Sequence, residues 1–374
     1  MFPRMLRRLL PILLLSGLLM PAASGETPQT VKIGFASPLT GPQAHYGKDN
    51  LNGAQMAIDE LNARHPEIGG KLVKFELVIG DDQADPRIGA VVAQRLVDAG
   101  IRGMVGHFNS GVTIPASRIY HDVGIPQLSV STNVKYTHQG YRTAFRIMAD
   151  DDKQGSALGH YAVNRLGMKR FAVVDDQTAY GQGLADAFAI AVKAAGGSVV
   201  KREYTTDKDI DFRAILTLLR AESPEAIFFA GYDVQAGPMA RQMKELGMKT
   251  LLLGGEAMNT AKFLQLAGPA AEGHIASTPG AALLSRPGGR AFAETYRRRY
   301  RQEIGLYAPY FYDGVMVLAA AMQRAGSSHP AKYLSQLPTG YHGITADIEF
   351  DADGDLRQGL LSIFRVQGGK WVLQ

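Results

Sequence analysis

Short apolar runs alternate with amphipathic stretches along most of the chain. The runs at 31–37 (VKIGFAS), 75–82 (FELVIGDD), 103–108 (GMVGHF) and 126–131 (PQLSVS) predict strands. Stretches at 49–64 and 87–99 carry the helical pattern between them. The rhythm resumes with strands at 170–176, 198–205, 226–231 and 250–255, and with helices near 181–196, 211–221 and 235–246. Near-continuous apolar strands separated by helices predict parallel sheets covered on both faces. Two such series, meeting near residue 150, predict an α/β fold of two doubly wound lobes. The end of the chain differs: helices are expected at 289–303 and 310–325, and the tail reads as β-hairpin strands around the Asp-Gly turn of DADGD (351–355). That turn resembles a calcium loop only superficially, because Leu356 stands where the EF-hand pattern continues past its glycine.

The first 25 residues break the rhythm. Arg4, Arg7 and Arg8 precede a leucine-rich run from Leu9 to Met20, and small residues follow at PAASG. This is the pattern of a secretory signal peptide, with cleavage expected after Ser24 or Gly25. The apolar run is shorter than the ~20 residues a membrane span requires. Removing residues 1–24 takes away three arginines and no acids, so the formal charge falls from +5 to +2, and nucleic-acid binding gains no support. The chain has no cysteine, which excludes disulfides and a lipid-modified N-terminus. A protein free in the periplasm, without stable membrane insertion, is expected.

Reactive motifs are lacking. GFASPLTGPQ has the wrong spacing for a dinucleotide fingerprint, GQGLADA (181–187) lacks the third glycine, and no G-x-S-x-G occurs. The nine histidines form no metal-binding pair. His107 is the best candidate for a general base, but a structural histidine is the expected reading. The pairs Asp81–Asp82 and Asp175–Asp176 end strands, where carboxylates usually cap helices. No catalytic, cofactor or metal site is expected.

One stretch stands out. GHFNSGVTIPAS (106–117) leaves a buried strand through Asn109, Ser110 and Gly111 and enters a helix near Val112. A helix start rich in small polar residues suits either an ordinary cap or a bound anion.

Read together, IGFASPLTGPQAHYG, NGAQMAIDELNA, DDQADP, GHFNSGVTIPAS, TNVKYTHQGYRTAFRIMADDDKQG, AYGQGLADA, FFAGYDVQAGPMARQMKELG and LGGEAMN fall in an order and spacing that resembles the leucine/isoleucine/valine-type periplasmic binding proteins of ABC transporters. The likeness spans about 30 to 374. It implies two lobes joined by three crossover strands, a ligand between them, and a monomer that docks transiently on a membrane permease. One lobe is expected to comprise 30–150 and 279–350, the other 151–278 and 351–374. The implied ligand is an amino acid, branched-chain or otherwise hydrophobic, with a small amide or urea as the alternative on the same fold. By this resemblance Ser110 and Gly111 receive the α-carboxylate, and Ser131 and Thr132 contact the carboxylate and amino group. Glu256 pairs with the ammonium, Tyr180 and Tyr232 close over the ligand, and Tyr46, Phe108 and Tyr307 surround its side chain. Val130 replaces a small residue, Phe108 is bulkier than the usual leucine, and Asn109 stands where leucine binders often have a disulfide cysteine. A neutral amide would not need Glu256.

Overall fold

A computed structural model describes Met1 and residues 27–374. The expected signal peptide therefore lies outside the described residues. The first sheet is built from β1 (Gln29–Ser37), β2 (Glu67–Ile68), β3 (Lys71–Asp81), β4 (Gly103–Gly106), β5 (Gln127–Ser129) and β6 (Ala144–Arg146), in the order β2-β3-β1-β4-β5-β6. All its pairings are parallel except β2 with β3. Helices α1 (Ala44–Ala63), α2 (Pro86–Asp98) and α3 (Ser110–Asp122) connect its strands. The start of α2 shows how local sequence sets these boundaries: Pro86 occupies the first turn, and the Asp85 carboxylate accepts the N–H groups of Arg87 and Ile88.

The chain then enters the second sheet through α4 (Asp151–His160). Here β7 (Arg170–Asp175), α5 (Ala179–Ala194), β8 (Ser198–Tyr204), α6 (Arg213–Ala221), β9 (Ala226–Ala230), α7 (Asp233–Glu245), β10 (Leu251–Gly254), α8 (Ala261–Ala267) and β11 (Ile275–Pro279) follow in turn. Strand β9, AIFFA, is buried along its whole length, as a central strand covered on both faces must be. The chain returns to the first lobe as α9 (Gly289–Tyr300) and α10 (Ala308–Arg324), and α10 packs along α1. A small ribbon of β12 (Tyr341–His342) and β13 (Asp347–Ile348) precedes the last passage back. Strands β14 (Leu361–Gln367) and β15 (Lys370–Leu373) complete the second sheet in the order β15-β14-β11-β10-β9-β7-β8. The chain thus crosses between the sheets at 147–150, 280–288 and 349–360.

The tail differs from its expected form. The hairpin proper, β14 with β15, turns at Gly368–Gly369, and both glycines have positive φ. The Asp-Gly turn closes only the single bridge between Phe350 and Leu356. The Asp351 carboxylate accepts the N–H groups of Asp353 and Asp355, which makes DADGD a self-capped turn. It sits on β6, where the Arg146 N–H donates to the Gly354 carbonyl at 2.8 Å. Asp355 forms a buried ion pair with Arg146, 2.7 Å from Nε.

Candidate functional site

The loops that end the parallel strands converge between the two sheets, at the place where open α/β sheets bind ligands. On the first lobe, β4 ends at Gly106 and α3 begins at Ser110. Gly106 has φ +118°, and a Cβ there would lie 2.2 Å from the Ala36 carbonyl oxygen, so only glycine fits this exit. Ser129 Oγ donates to the His107 carbonyl at 2.6 Å and accepts the Ser131 N–H at 3.0 Å. Ser131 Oγ in turn donates to Ser110 Oγ at 3.0 Å, and the Asn133 N–H reaches the same Ser110 oxygen at 3.4 Å. These two strand exits therefore form one hydrogen-bonded unit at the N-terminus of α3. The first N–H groups of a helix lack intrahelical partners and carry a partial positive charge, so the unit suits an anion.

Asn109, the residue before the helix, makes no side-chain cap. Its Nδ2 instead donates to Gln43 Oε1 at 2.7 Å and across the cleft to the Tyr232 hydroxyl at 2.9 Å. Gly111 faces a slot of about 420 Å³ between the lobes, shared with Asn109, Asp176, Thr206 and Tyr232. A Cβ at Gly111 would meet no protein atom within 4 Å, so the space beside it is open.

On the second lobe Glu256 follows β10 and is buried. The Tyr180 hydroxyl donates to one of its oxygens at 3.1 Å, and Tyr307 reaches the other at 3.5 Å. Burial pushes the Glu256 carboxyl up, and hydrogen bonds from its own backbone, Gln154, Tyr180 and Tyr307 pull it back in part. Aromatic rings enclose the space between the lobes. Tyr46 stacks on Phe108 at 5.0 Å, Tyr307 meets Phe108 edge-on at 4.8 Å, and Tyr232 lies 5.3 Å from Tyr180. The Tyr46 hydroxyl donates to the Ala257 carbonyl at 2.6 Å and links the lobes, as do His45 with Asp233 at 2.8 Å and Asn133 Nδ2 with the Ala179 carbonyl at 2.5 Å. Contacts run unbroken from Asn109 through Tyr232 and Tyr180 to Glu256, and the Thr132 carbonyl accepts the Asp151 N–H at 2.8 Å, so the ten residues singled out in the sequence gather in one region, with Gly111 at its edge.

Two residues were missed. Asp151 begins α4, is 1% exposed, and has only the Thr132 side chain to ease its carboxylate, without a well-formed hydrogen bond to either oxygen. Its carboxyl is pushed well up, first by burial and then by the charge of Glu256. In the sequence it looks like one more acid in a helix-starting cluster, ADDDK. Arg146 is fully buried and holds the Ser131–Asn133 loop: Nη1 donates to the Ser131 and Asn133 carbonyls, both at 2.8 Å, and Nη2 to Thr137 Oγ1 at 2.6 Å. A charged residue flanked by apolar ones in AFRIM was the available signal.

The residues considered for acid–base work are engaged structurally. His107 lies buried between Asp82, 2.7 Å from Nδ1, and the Tyr120 hydroxyl, 3.1 Å from Nε2. Asp81 accepts the N–H groups of Leu39 and Gln83, Asp175 pairs with Arg202, and Asp176 accepts from Thr178. Among the described residues no helix is long and apolar enough to cross a membrane.

A family model described as periplasmic binding protein matches residues 30–370. An amino acid binding protein of Pseudomonas aeruginosa is 37% identical over 331 residues, 87% of each chain. A leucine-, isoleucine-, valine-, threonine- and alanine-binding protein of the same organism is 32% identical over 330 residues, 88% of this chain and 87% of that one. Among solved structures, the branched-chain amino acid transporter substrate-binding protein of Streptococcus pneumoniae in complex with isoleucine superposes with a TM-score of 0.83 at 28% identity, over 92% of this chain and all of that one.

Proposed function

Because this chain belongs to the periplasmic binding protein family, we propose that it captures an amino acid between its two lobes in the periplasm and hands it to the membrane permease of an ABC importer. The observation that carries this reading is the bipolar cleft. Hydroxyl and N–H donors gather at the start of α3, and a buried carboxylate, Glu256, stands on the opposite lobe. Burying either charge of a zwitterion unpaired costs several kcal/mol, whereas a charge-assisted hydrogen bond returns roughly 1.5–3 kcal/mol. The α-carboxylate is assigned to Ser110, Ser131 and the neighbouring N–H groups, with Gly111 and Thr132 beside them. The ammonium is assigned to Glu256, and Tyr180 and Tyr232 close over the backbone of the ligand. Tyr46, Phe108 and Tyr307 leave an aromatic-walled space, which favours an aliphatic or other hydrophobic side chain. A ligand that touches both lobes favours closure by its differential affinity for the closed form.

The relatives' ligands agree in kind: aliphatic amino acids and threonine in one, isoleucine in another. The chemistry is binding and release, with no bond made or broken. The chain is expected to act after removal of residues 1–24 or 1–25, in free form, since it has no cysteine to carry a lipid. A thermal-shift screen of the mature protein against all amino acids and several amides tests the reading. Stabilisation by hydrophobic amino acids is expected. Stabilisation by an amide or urea, with no amino acid effective, would replace the reading by that of a neutral-solute binder.

A further inference from the structure

We propose that Asp49 is a positioning residue that decides which solute side chains the cleft accepts, because it fixes the entrance of α10 and with it the ring of Tyr307. The proposal rests on the reading above that Tyr307 walls the side-chain space. Asp49 lies in α1, one turn beyond Tyr46, and is buried. Its carboxylate accepts five donors. Oδ1 takes the Gly305 N–H and the Tyr296 hydroxyl, both at 2.8 Å. Oδ2 takes the N–H groups of Leu306 at 3.1 Å and of Tyr307 and Ala308 at 2.9 Å each.

Four consecutive backbone N–H groups therefore converge on one side chain from another helix. They stand at a helix N-terminus, where such groups lack intrahelical partners and carry partial positive charge. The usual solution is local, a Ser, Thr, Asp or Asn just before the helix. Here Tyr307 occupies that place and makes no side-chain cap. Its ring is committed to the cleft instead. It meets Phe108 edge-on at 4.8 Å and Tyr46 edge-on at 5.8 Å, and its hydroxyl reaches Glu256 at 3.5 Å. The acceptor that a local cap would supply comes from a residue 258 positions away in the sequence. That exchange lets an aromatic ring stand at the helix start and ties its backbone to α1.

Close packing leaves this entrance little freedom. A Cβ on Gly53 would lie 1.9 Å from the Ala308 carbonyl oxygen, and one on Gly305 would lie 3.0 Å from Asp49 Cγ. Pro309 restricts the backbone of the first turn. The Tyr296 hydroxyl also accepts from Asn52 and Gln302, at 3.1 Å each, and so is itself anchored. Both carboxylate oxygens meet N–H or O–H donors, and bonds from such donors to a charged acceptor are strong. Tyr46 and Asp49 share one helix, so the bonds from Asp49 to the 305–308 backbone set how far the Tyr46 and Tyr307 rings stand apart. Weakening those bonds releases one wall, and the space then discriminates less between side chains of different size.

The test is calorimetry of the mature protein with L-valine, L-leucine and L-phenylalanine, comparing the parent, Asp49→Asn, Tyr307→Ala and the double variant. Asparagine keeps the shape but turns an amide NH2 toward N–H donors. Asp49→Asn is expected to shrink the affinity ratio between the best- and worst-bound amino acid roughly three- to tenfold, and to change it no further in the Tyr307→Ala background. A merely structural cap predicts an equal loss for all three solutes, or lower thermal stability alone. Either result, with the ratio altered in Tyr307→Ala, would overturn the proposal and leave the pocket reading standing. A change of the same size with and without the Tyr307 ring would do the same. An unaltered ratio in Tyr307→Ala would remove that ring from the pocket and the proposal with it, and no heat with any of the three would remove the amino-acid reading as well. Should Asp49→Asn fail to fold, Gly305→Ala decides, since its added Cβ presses on the carboxylate. The ratio is then expected to shrink about threefold or more, and an unchanged ratio would overturn the proposal.

Discussion

At the Ser110 end of the cleft, neutral donors from two strand exits and a helix start satisfy one another through a chain of hydrogen bonds. At the Glu256 end, buried carboxylates stand with neutral partners only. The first arrangement is redundant: several groups share the work, and each is stable without a ligand. The second concentrates the work in one or two charges whose burial is costly until a cation arrives. Substitutions should therefore be tolerated unequally at the two ends.

Four substitutions sharpen or break this contrast. Removing Arg146 should have the largest effect and should act on both ends through the fold. Arg146→Ala takes the buried guanidinium away from Asp355 and frees the Ser131–Asn133 loop, with an expected loss of about 3–5 kcal/mol in denaturant unfolding. The pair also predicts an acid limb. The Arg146 charge and the hydrogen bonds from Arg146, Thr137 and His138 outweigh desolvation and hold the Asp355 carboxyl below its usual value. Its stabilisation is therefore present above about pH 4 and lost as the pH falls through the lowered value. Next, Glu256→Ala should weaken amino-acid binding by roughly 100-fold or more, with the unfolding transition little changed; near-normal affinity in calorimetry would sink the ammonium assignment. Phe108→Ala should alter the ranking of side chains, because Phe108 packs against Tyr46 and Tyr307. An unchanged ranking would remove it from the pocket. Ser110→Ala should be the mildest, roughly two- to tenfold, because Ser131 and the N–H groups remain. If Ser110→Ala proved as damaging as Glu256→Ala, the redundancy argued for that end would fall.

The same contrast explains what the sequence made legible. Strands such as AIFFA announce themselves because a parallel sheet buried on both faces leaves no room for polar alternation. The Ser110 end was visible because Asn, Ser and Gly at a strand-to-helix passage are unusual in themselves. Asp151 was not, since an acid in the first turn of a helix is ordinary and only the third dimension shows it buried beside another acid. Arg146 was hidden for a related reason: its partner, Asp355, lies 209 residues away. The tail was misplaced because an Asp-Gly pair is a strong turn signal, yet the flanking residues here dock on β6 and leave the ladder to the strands around Gly368–Gly369.

The most direct test of the bipolar cleft is a crystal structure of the mature protein with its preferred solute bound. The account predicts an amino acid whose carboxylate lies against the Ser110 and Ser131 hydroxyls and whose ammonium lies within hydrogen-bond distance of Glu256. A neutral or singly charged guest seated away from both would contradict it.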